Sequence, residues 1–189
     1  FTKKSRSEVF SSGMRSEQVT LGGYAQMYRL AVLTISDKGF KGERKDLSGA
    51  LITEMLSQPD YKLVFHEIVP DDEKMISDKL SIWADQFELN LIVTTGGTGL
   101  TPRDVTPEAT SRIIERAVPG LVEAIRMESI KISPTAMLSR SIAGIRNKCL
   151  IINLPGSPKA VRESISVIQG VLPHALKMLT GTSGDHSNE

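Results

Sequence analysis

The chain contains very few of the side chains on which disulfide, thiolate and zinc chemistry depend. Its 189 residues include one cysteine and three histidines. One cysteine excludes an internal disulfide and a cluster of thiolate metal ligands, and it fits a reducing, cytoplasmic setting. The histidines, at positions 66, 174 and 186, are too scattered to support a zinc site or a Ser-His-Asp triad. Cys149 lies in an apolar segment, which favours a place in the core over a role as nucleophile.

Long apolar runs and a large excess of one charge are also missing. No apolar stretch approaches the roughly 18 to 20 residues that a membrane-spanning helix needs, and nothing resembles a signal peptide. The formal net charge of +1 argues against a broad basic surface for nucleic acid or acidic membranes, although a small basic site remains possible. Hydrophobic residues make up 40% of the chain and charged residues 24%, which is ordinary for a globular protein with a packed core.

One domain accounts for most of the length. We expect it to span residues 27–181, because 189 residues suffice for one well-packed core and would be cramped for two. Residues 1–26 are rich in Ser, Gly, Lys and Gln without sustained periodicity, and we expect a tag remnant or a disordered leader there. The polar residues 182–189 are expected to form a flexible tail.

Apolar runs and helical spacings alternate along this domain. Short apolar runs closed by turn residues predict buried strands at residues 28–35, 62–69, 89–95 and 148–153. Between them apolar residues recur at helical spacing, as at Ile76, Leu80, Trp83 and Phe87. The alternation predicts a layered α/β fold with a mainly parallel sheet.

Several polar residues mark the expected starts of helices. Asp46 is a candidate cap, and the acidic residues 71–73 suit a first helical turn. Thr106, followed by a proline, is predicted to cap the helix after the third strand.

Prolines are expected to interrupt the second half of the domain. Pro119 and Pro134 should divide residues 118–146 into short helices. A last helix carries apolar residues on one side from Val161 to Leu179, and Pro173 should kink it.

A glycine-rich loop follows the third predicted strand. It consists of Gly96, Gly97, Thr98 and Gly99. Glycines let a backbone turn sharply and bring N–H groups close to an anion, as in phosphate-binding nests. The spacing matches neither the P-loop nor the Rossmann fingerprint. Such a loop also occurs as a simple tight turn, so both interpretations stay open.

Two aspartates follow neighbouring predicted strands. Asp71 lies just beyond the second strand, and Asp104 lies beyond the third, before the Thr106 helix. Because the carboxyl ends of parallel strands meet at one edge of a sheet, both carboxylates are expected there. Together they could hold Mg²⁺ against phosphate oxygens. Each alone is also explained as a turn, cap or first-turn residue.

Further polar residues are expected at the same edge, after the first and fourth strands. They are Ser36, Asp37, Asn153, Pro155 and Gly156. Ser157 could open a helix whose free N–H groups face a phosphate, although an ordinary strand-to-helix turn explains this segment as well. Arg103, Arg140 and Arg146 are candidate anion clamps, but most arginines are simply solvated.

Longer motifs resemble one known family. Thr-Thr-Gly-Gly-Thr-Gly at residues 94–99 is followed by Pro-Arg-Asp-Val-Thr-Pro-Glu-Ala-Thr at residues 102–110. This order is similar to the molybdopterin adenylyltransferases of molybdenum cofactor biosynthesis: the bacterial Mog type, the plant Cnx G domain and the gephyrin G domain. The likeness runs from about residue 27 to residue 181. Further matching segments are residues 33–37, 46–49, 68–71, 119–120, 128–131, 137–141, 143–146 and 150–156.

The resemblance implies a homotrimer of three-layer, Mog-like α/β subunits that uses ATP and Mg²⁺. The implied reaction transfers AMP from ATP to the terminal phosphate of molybdopterin and releases pyrophosphate. A molybdate-insertion protein would then receive the adenylylated product.

The resemblance also implies roles for particular residues. The aspartates of the family's Val-Pro-Asp and Pro-Arg-Asp-Val motifs are catalytic acids, and these positions are Asp71 and Asp104 here, where we also expect the metal. The Glu-Ser-x-Lys and Leu-Ser-Arg motifs imply substrate contacts for Ser129, Lys131 and Ser139.

Three other functions remain open at this stage, one of them a generic Mg²⁺-dependent nucleotide hydrolase. A member of this family could hold molybdopterin or nucleotide without turning it over. The related molybdate-insertion protein shares the fold within a longer, multidomain chain. The family motif around Asp46 departs at Leu47, where relatives often have Arg, so that side chain is given no role.

Overall fold

A six-stranded mixed sheet forms the middle of the protein. The computed structural model describes residues 27–57 and 59–181, so the expectations for residues 1–26 and 182–189 lie outside the described residues. The strands are β1 (Tyr28–Ile35), β2 (Tyr61–Val69), β3 (Leu91–Thr95), β4 (Arg116–Ala117), β5 (Ala143–Arg146) and β6 (Cys149–Leu154). Their order across the sheet is β2-β1-β3-β6-β5-β4. Strands β2, β1, β3 and β6 are parallel, whereas β5 and β4 are each antiparallel to the preceding neighbour.

Helices cover both faces of this sheet. They are α1 (Asp37–Phe40), α2 (Leu47–Met55), α3 (Glu73–Gln86), α4 (Thr106–Ser111), α5 (Pro119–Ile132), α6 (Pro158–Ile168) and α7 (Leu172–Thr180), with a 3₁₀ turn at Pro134–Leu138. In the described part of the chain, no helix combines the length and hydrophobicity that crossing a membrane requires.

Two apolar cores lie on opposite faces of the sheet. Side chains alternate along a strand, so Leu30 and Val32 of β1 enter one core while Ala31 and Leu33 enter the other. The first core is closed by α2, α5, α6 and α7, and the second by α3 and α4. The predicted α/β fold with a mainly parallel sheet and flanking helices is confirmed, and it has three layers.

The predicted helix caps are confirmed for α2 but wrong for α4. Oδ1 of Asp46 accepts a hydrogen bond from the N–H of Gly49 at 2.8 Å, as an N-cap should. At α4 the cap position belongs to Val105, which makes no side-chain capping bond. Thr106 is instead the first helical residue, and its hydroxyl donates to the carbonyl oxygen of Gly96.

The prolines follow the prediction only in part. The expected last helix is two helices, α6 and α7, separated by residues 169–171. Pro173 sits in the first turn of α7, where its missing N–H has no intrahelical partner to lose, so it starts a helix and does not kink one. Pro119 and Pro134 do begin separate helical segments, α5 and the 3₁₀ turn, as predicted, but residues 118–146 also contain the strand β5, which was not predicted.

The parallel strands all point their carboxyl ends to one edge of the sheet. The chain order reverses around β1, whose neighbours are β2 on one side and β3 on the other. In open α/β sheets ligands bind outside the carboxyl ends at such a reversal. A ligand-binding or catalytic site is therefore expected among the segments that follow β1, β2, β3 and β6.

Candidate active site

The glycine-rich loop after β3 is the centre of this edge. Gly96 and Gly97 have φ values of 97° and 62°, in the region that favours glycine. A Cβ atom on Gly96 would lie 2.3 Å from the carbonyl oxygen of Ile35, and one on Gly97 would lie 2.3 Å from Oγ1 of Thr106. Both positions therefore require glycine, which also leaves the backbone open to close approach by a ligand.

Threonine hydroxyls fix this loop to its surroundings. Thr106 is fully buried and donates its hydroxyl to the carbonyl oxygen of Gly96 at 2.9 Å. Thr95 donates to the carbonyl oxygen of Pro155 at 2.7 Å, which ties the loop to the segment after β6. A loop held by buried hydrogen bonds offers a ligand groups that are already in place.

Asp71, at the carboxyl end of β2, is linked reciprocally to Asp37 after β1. Oδ2 of Asp71 accepts from the N–H of Asp37 at 2.8 Å, and the N–H of Asp71 donates to Oδ1 of Asp37 at 3.1 Å. Burial raises the pKa of Asp71 above its ordinary value, and the negative charges of Asp37 and Asp104 add to that rise. A carboxylate in such surroundings gains from a nearby cation.

Asp37 itself is neutralised by Arg103. The Nη2 atom of Arg103 lies 2.7 Å and 2.8 Å from the two carboxylate oxygens, and Nε lies 3.1 Å from Oδ2. These hydrogen bonds, followed by the one to the backbone of Asp71, hold the pKa of Asp37 below its usual range. The expected anion clamp is therefore engaged with an internal carboxylate.

Asp104 closes the segment that follows the glycine loop. Its Oδ2 atom accepts from the N–H and the hydroxyl of Thr101, at 2.8 Å and 2.6 Å. Burial alone would raise the pKa of Asp104, but hydrogen bonds from Thr101 and from the backbone of Gly99 outweigh it and hold that pKa below its ordinary value. Asp104 is thus a carboxylate at neutral pH.

The two predicted metal ligands have donor chemistry that fits Mg²⁺. Asp104 is close enough for its charge to help raise the pKa of Asp71, and a bound cation would relieve that repulsion. Mg²⁺ commonly takes one or two carboxylates and completes its shell with phosphate oxygens and water. Within residues 27–57 and 59–181, no group of three or more His, Cys, Asp or Glu side chains is arranged to hold a metal ion.

Two cavities of similar volume meet at the glycine loop. The α2 cavity, about 580 Å³, lies between the loop and the start of α2, and the α5 cavity, about 570 Å³, lies between the loop and α5. The predicted site residues on the α2 cavity are Ser36, Asp71, Gly96, Gly97 and Gly156. Those on the α5 cavity are Thr98, Gly99, Ser129, Ser139 and Pro155. Consecutive residues of one loop therefore face different cavities.

The α2 cavity combines features that attract phosphate. Arg44 and Lys45, from the segment before α2, contribute two cationic side chains to its wall. The first residues of α2 and α6 also line it. The N–H groups of Gly49 and Ala160 are taken by the capping side chains of Asp46 and Ser157, so Ser48 and Lys159 are the first-turn residues whose N–H groups can face an anion. Arg44 and Lys45 were not predicted as site residues, because no motif or spacing distinguishes them from solvated charges.

The α5 cavity is more apolar. Val122, Ile125 and Leu138 contribute hydrocarbon surface, and Arg126 contributes a guanidinium group. Arg126 donates to the carbonyl oxygen of Ser139 at 3.1 Å from Nη2, which places the predicted residue Ser139 on the cavity wall. An apolar cavity with a few fixed polar groups suits a flat heterocycle. Arg126 was missed because, in sequence, it is one polar position of an amphipathic helix.

Four predicted site residues line neither cavity. Asp37 and Asp104 hold the surrounding segments, as described above. Lys131 is exposed and pairs with Glu128 at 2.6 Å. Asn153 is fully buried beneath the loop and donates Nδ2 to the hydroxyls of Thr94 and Thr110, at 3.0 Å and 2.9 Å. Its position is that of a brace under the loop and not of a cavity wall.

The other two candidate anion clamps also bind internal partners. Arg140 donates Nε to the carbonyl oxygen of Gly99 at 2.7 Å and contacts Glu108 and the carbonyl oxygen of Asp104. Arg146 pairs with Asp85, at 2.7 Å from Nη2. Arg140 therefore joins the two ends of the segment between Gly99 and Asp104.

Comparison with known proteins identifies a family. Residues 31–174 match the family described as "Probable molybdopterin binding domain". The molybdopterin adenylyltransferase of Helicobacter pylori strain 26695 is 44% identical over 160 residues, covering 82% of this chain and 90% of that protein. The molybdopterin adenylyltransferase of Escherichia coli K12 is 33% identical over 168 residues, covering 81% and 86%.

A solved structure shares the fold at higher identity. The molybdopterin biosynthesis enzyme MoaB from Thermus thermophilus superposes with a TM-score of 0.78 at 50% identity, covering 82% of this chain and 98% of that structure. The similarity in sequence and that in structure thus extend over the same domain.

Proposed function

The chain belongs to the molybdopterin-binding domain family of molybdenum cofactor biosynthesis, and we propose that it is a molybdopterin adenylyltransferase that moves AMP from ATP to the terminal phosphate of molybdopterin. The predicted family and enzyme class are confirmed by relatives that carry this name at 44% and 33% identity over most of their length. ATP, Mg²⁺ and the individual site residues are part of the proposal.

One observation carries the proposal: two cavities share a rigid glycine loop that has Asp71 and Asp104 nearby. A transfer between two substrates needs two adjoining sites, with the reacting groups meeting at their junction. The α2 cavity, where Arg44 and Lys45 stand beside the carboxylates of Asp46 and Asp71, suits the triphosphate of ATP together with a cation, and the more apolar α5 cavity suits the pterin. Their junction at Gly97 and Thr98 is where the two phosphates would meet.

The chemistry consists of an in-line displacement at the α-phosphorus of ATP. A terminal phosphate oxygen of molybdopterin attacks that phosphorus, the bond to the β-phosphate oxygen breaks, and pyrophosphate leaves. Such a step depends on positioning and charge stabilisation more than on a covalent nucleophile. Cys149 is no candidate for that role, because burial raises the pKa of its thiol to about 12.

The residues of this chain would do the positioning. N–H groups of the glycine loop and of the α2 and α6 N-termini hold phosphate oxygens, while Arg44 and Lys45 bind the end of ATP that departs. Asp71 and Asp104 would hold Mg²⁺, which supplies charge neutralisation at the phosphates when bound. Arg140 and Thr106 keep the intervening loop rigid.

The experiment is a pyrophosphate-release assay with purified protein, molybdopterin and MgATP, without molybdate. We expect release by the wild type and a loss of at least about 100-fold in Asp104→Ala, since removing one charge-stabilising group commonly costs that much. Asp78→Ala is the matched control, because Asp78 is an exposed carboxylate on α3 paired with Lys74.

Two results would contradict the proposal. Full activity in Asp104→Ala with an unchanged unfolding transition would remove Asp104 from the site. Tight binding of molybdopterin or nucleotide by the wild type, without pyrophosphate release, would favour the non-catalytic binding module instead.

Assembly and location extend the proposal. We propose a homotrimer in the cytoplasm that passes its adenylylated product to a molybdate-insertion protein, as the family resemblance implies. The molecular mass in solution, measured by light scattering, tests the first of these directly.

A further inference from the structure

A side-chain cluster behind the α2 cavity has no place in the predicted site. Oδ2 of Asp46 accepts from the hydroxyl of Thr34 at 2.6 Å and lies 2.8 Å from Nε2 of His66. Oδ1 of the same carboxylate caps α2 through the N–H of Gly49 at 2.8 Å. One carboxylate therefore joins three elements: β1 through Thr34, β2 through His66, and α2.

This cluster holds one wall of the α2 cavity. Asp46 and Thr34 both line the cavity, whereas His66 stands behind Asp46 on the edge strand β2. The adjoining residue Ser48 donates its hydroxyl to the carbonyl oxygen of Gly156 at 2.7 Å. The first turn of α2 is thus anchored to β1 and β2 on one side and to the segment after β6 on the other.

The packing of the cluster is tight enough to demand glycine inside a helix. A Cβ atom on Gly49 would lie 2.3 Å from Oδ2 of Asp46, 2.3 Å from Nε2 of His66 and 2.6 Å from Oγ1 of Thr34. Alanine normally favours a helix over glycine by about 1 kcal/mol. Glycine is nevertheless needed at position 49 because any larger residue would collide with the contact between His66 and Asp46.

The ionisation state of Asp46 decides which atom donates in each hydrogen bond of this cluster. Burial alone would raise the pKa of Asp46, but hydrogen bonds from Thr34, the Gly49 N–H and His66 outweigh it and hold that pKa below its ordinary value. Asp46 is therefore an ionised carboxylate that can only accept at neutral pH, and Nε2 of His66 carries the proton whether the ring is neutral or charged. The side chain of Asp46 is 9% exposed and that of His66 is 28% exposed, so the carboxylate is shielded from water while the imidazole stays partly accessible.

We propose that His66 is a positioning residue for the nucleotide. Acting through Asp46, it fixes the first turn of α2 and the adjoining Arg44 and Lys45, so that the α2 cavity is shaped for the phosphates of ATP before ATP arrives. This inference rests on the proposed function, because it assigns ATP to the α2 cavity. It concerns binding of the nucleotide and not the transfer step, since His66 does not line either cavity.

The test compares His66→Ala with His66→Gln, whose side-chain amide reaches about as far as Nε2 and can donate to Asp46. Dissociation constants for MgATP are measured by calorimetry, and KM values for ATP and molybdopterin are measured with kcat. We expect His66→Ala to weaken ATP binding and raise its KM about three- to tenfold, the range that one lost hydrogen bond gives. The KM for molybdopterin and kcat should stay within about twofold, and His66→Gln should restore most of the ATP affinity.

Two further variants make the test specific. His174→Ala is the matched control, because His174 lies on α7, away from both cavities, and it should leave every constant unchanged. Gly49→Ala keeps both residues of the His66–Asp46 pair, but the new methyl group would push their side chains apart. It should therefore reproduce the ATP-specific loss of His66→Ala.

The outcomes separate this inference from the proposed function. Unchanged ATP affinity in His66→Ala, or an equal rise in both KM values, would overturn the positioning role while leaving the enzyme assignment intact. A wild type that binds MgATP without releasing pyrophosphate would overturn the enzyme assignment. In that case a selective loss of ATP binding in His66→Ala would still support the role of His66.

Discussion

Asp71 and Asp104 stand by the same glycine loop with pKa values shifted in opposite directions. Asp104 is surrounded by hydrogen-bond donors, which favour its charge, whereas Asp71 is opposed by burial and by two neighbouring carboxylates. The negative charge of Asp71 is therefore unfavourable until a cation arrives. This difference makes Asp71 the residue at which stability and activity are in conflict.

Asp71→Asn should stabilise the free protein while abolishing pyrophosphate release. The folded-state pKa of Asp71 is raised above its unfolded value, so ionisation favours the unfolded chain once the pH exceeds the unfolded value of about 3.9. Removing the charge should raise the free energy of unfolding at pH 7 by at most about 1 kcal/mol, because solvent screens a partly exposed carboxylate. Urea denaturation at pH 7 and below pH 4 checks this, because the gain should disappear in acid; a loss of stability at pH 7 would contradict it.

From residue patterns alone, single residues could be chosen for the candidate site only where they follow a strand, whereas Ser129 and Ser139, which line the α5 cavity, were chosen through family motifs. Asp71 and Asp104 could be chosen because they follow neighbouring strands, and the glycines because no other residue type tolerates the loop's geometry. Arg126 and His66 could not, since each depends on what lies across the fold. Asn153 shows the converse: it lies within β6 and not after the strand as expected, and its side chain turns inward to Thr94 and Thr110.

At the scale of elements, the ends of helices and strands set the site. Asp71 ends the β2 segment and the next residue, Asp72, begins α3 by accepting from the N–H of Met75 at 2.8 Å. The two consecutive aspartates thus have different roles: Asp71 lines the α2 cavity, and Asp72 caps α3. The acidic start predicted from residues 71–73 is confirmed for α3, with Asp72 as the capping residue.

Asp72→Ala should therefore lower stability without lowering kcat. Loss of an N-cap typically costs about 0.5–2 kcal/mol of unfolding free energy. Asp72→Ser, which keeps a capping oxygen, should recover most of that loss, and both variants should release pyrophosphate at the wild-type rate. Chemical denaturation checks the loss of stability, and the release assay checks that kcat is unchanged. A kcat that falls in Asp72→Ala but returns in Asp72→Ser would contradict the prediction and show that the cap matters for catalysis.

The four longer strands were predictable from apolar runs closed by turn residues. Three of the four predicted strands begin within one residue of the observed ones and the third within two, although β2 is only partly buried and β3 is fully buried. Strand β5 was missed since it has four residues, one of them Gly144, whose Cβ would lie 2.6 Å from Cδ1 of Ile114. A close approach of this kind leaves no periodicity in the sequence.

Over the whole molecule, the sheet is covered on both faces, and β6 is buried along its entire length. Its first residue, Cys149, is fully inaccessible, which confirms the expected place in the core. The fold class and the function were predictable from the order of elements and from long motifs. The trimer, the metal and the nucleotide remain predictions, because no pattern within one chain fixes what lies between copies or in a cavity.

Cys149 should report global unfolding of the domain. Its thiol is buried and its pKa is raised to about 12, so a disulfide reagent should modify it only after the sheet opens. We expect labelling in native buffer to be slower than that of free cysteine by at least about 1,000-fold, given the usual ratio of folded to unfolded chains. Mass spectrometry after timed exposure checks this; rapid labelling before the unfolding transition would place β6 in a locally opening region.

Because the glycine loop is shared between two cavities, ligand binding in one cavity is coupled to ligand binding in the other. Gly97 lines the α2 cavity and its neighbour Thr98 lines the α5 cavity. The carbonyl oxygen of Gly97 accepts from the N–H of Thr106 and that of Thr98 from the N–H of Arg140, so both residues belong to one hydrogen-bonded loop. When a ligand in one cavity shifts or stiffens this loop, it changes the affinity of the other cavity for its own ligand. The two affinities then change by the same factor in either order of binding. Neither substrate therefore has a single affinity of its own, and each constant is defined only with the state of the opposite cavity.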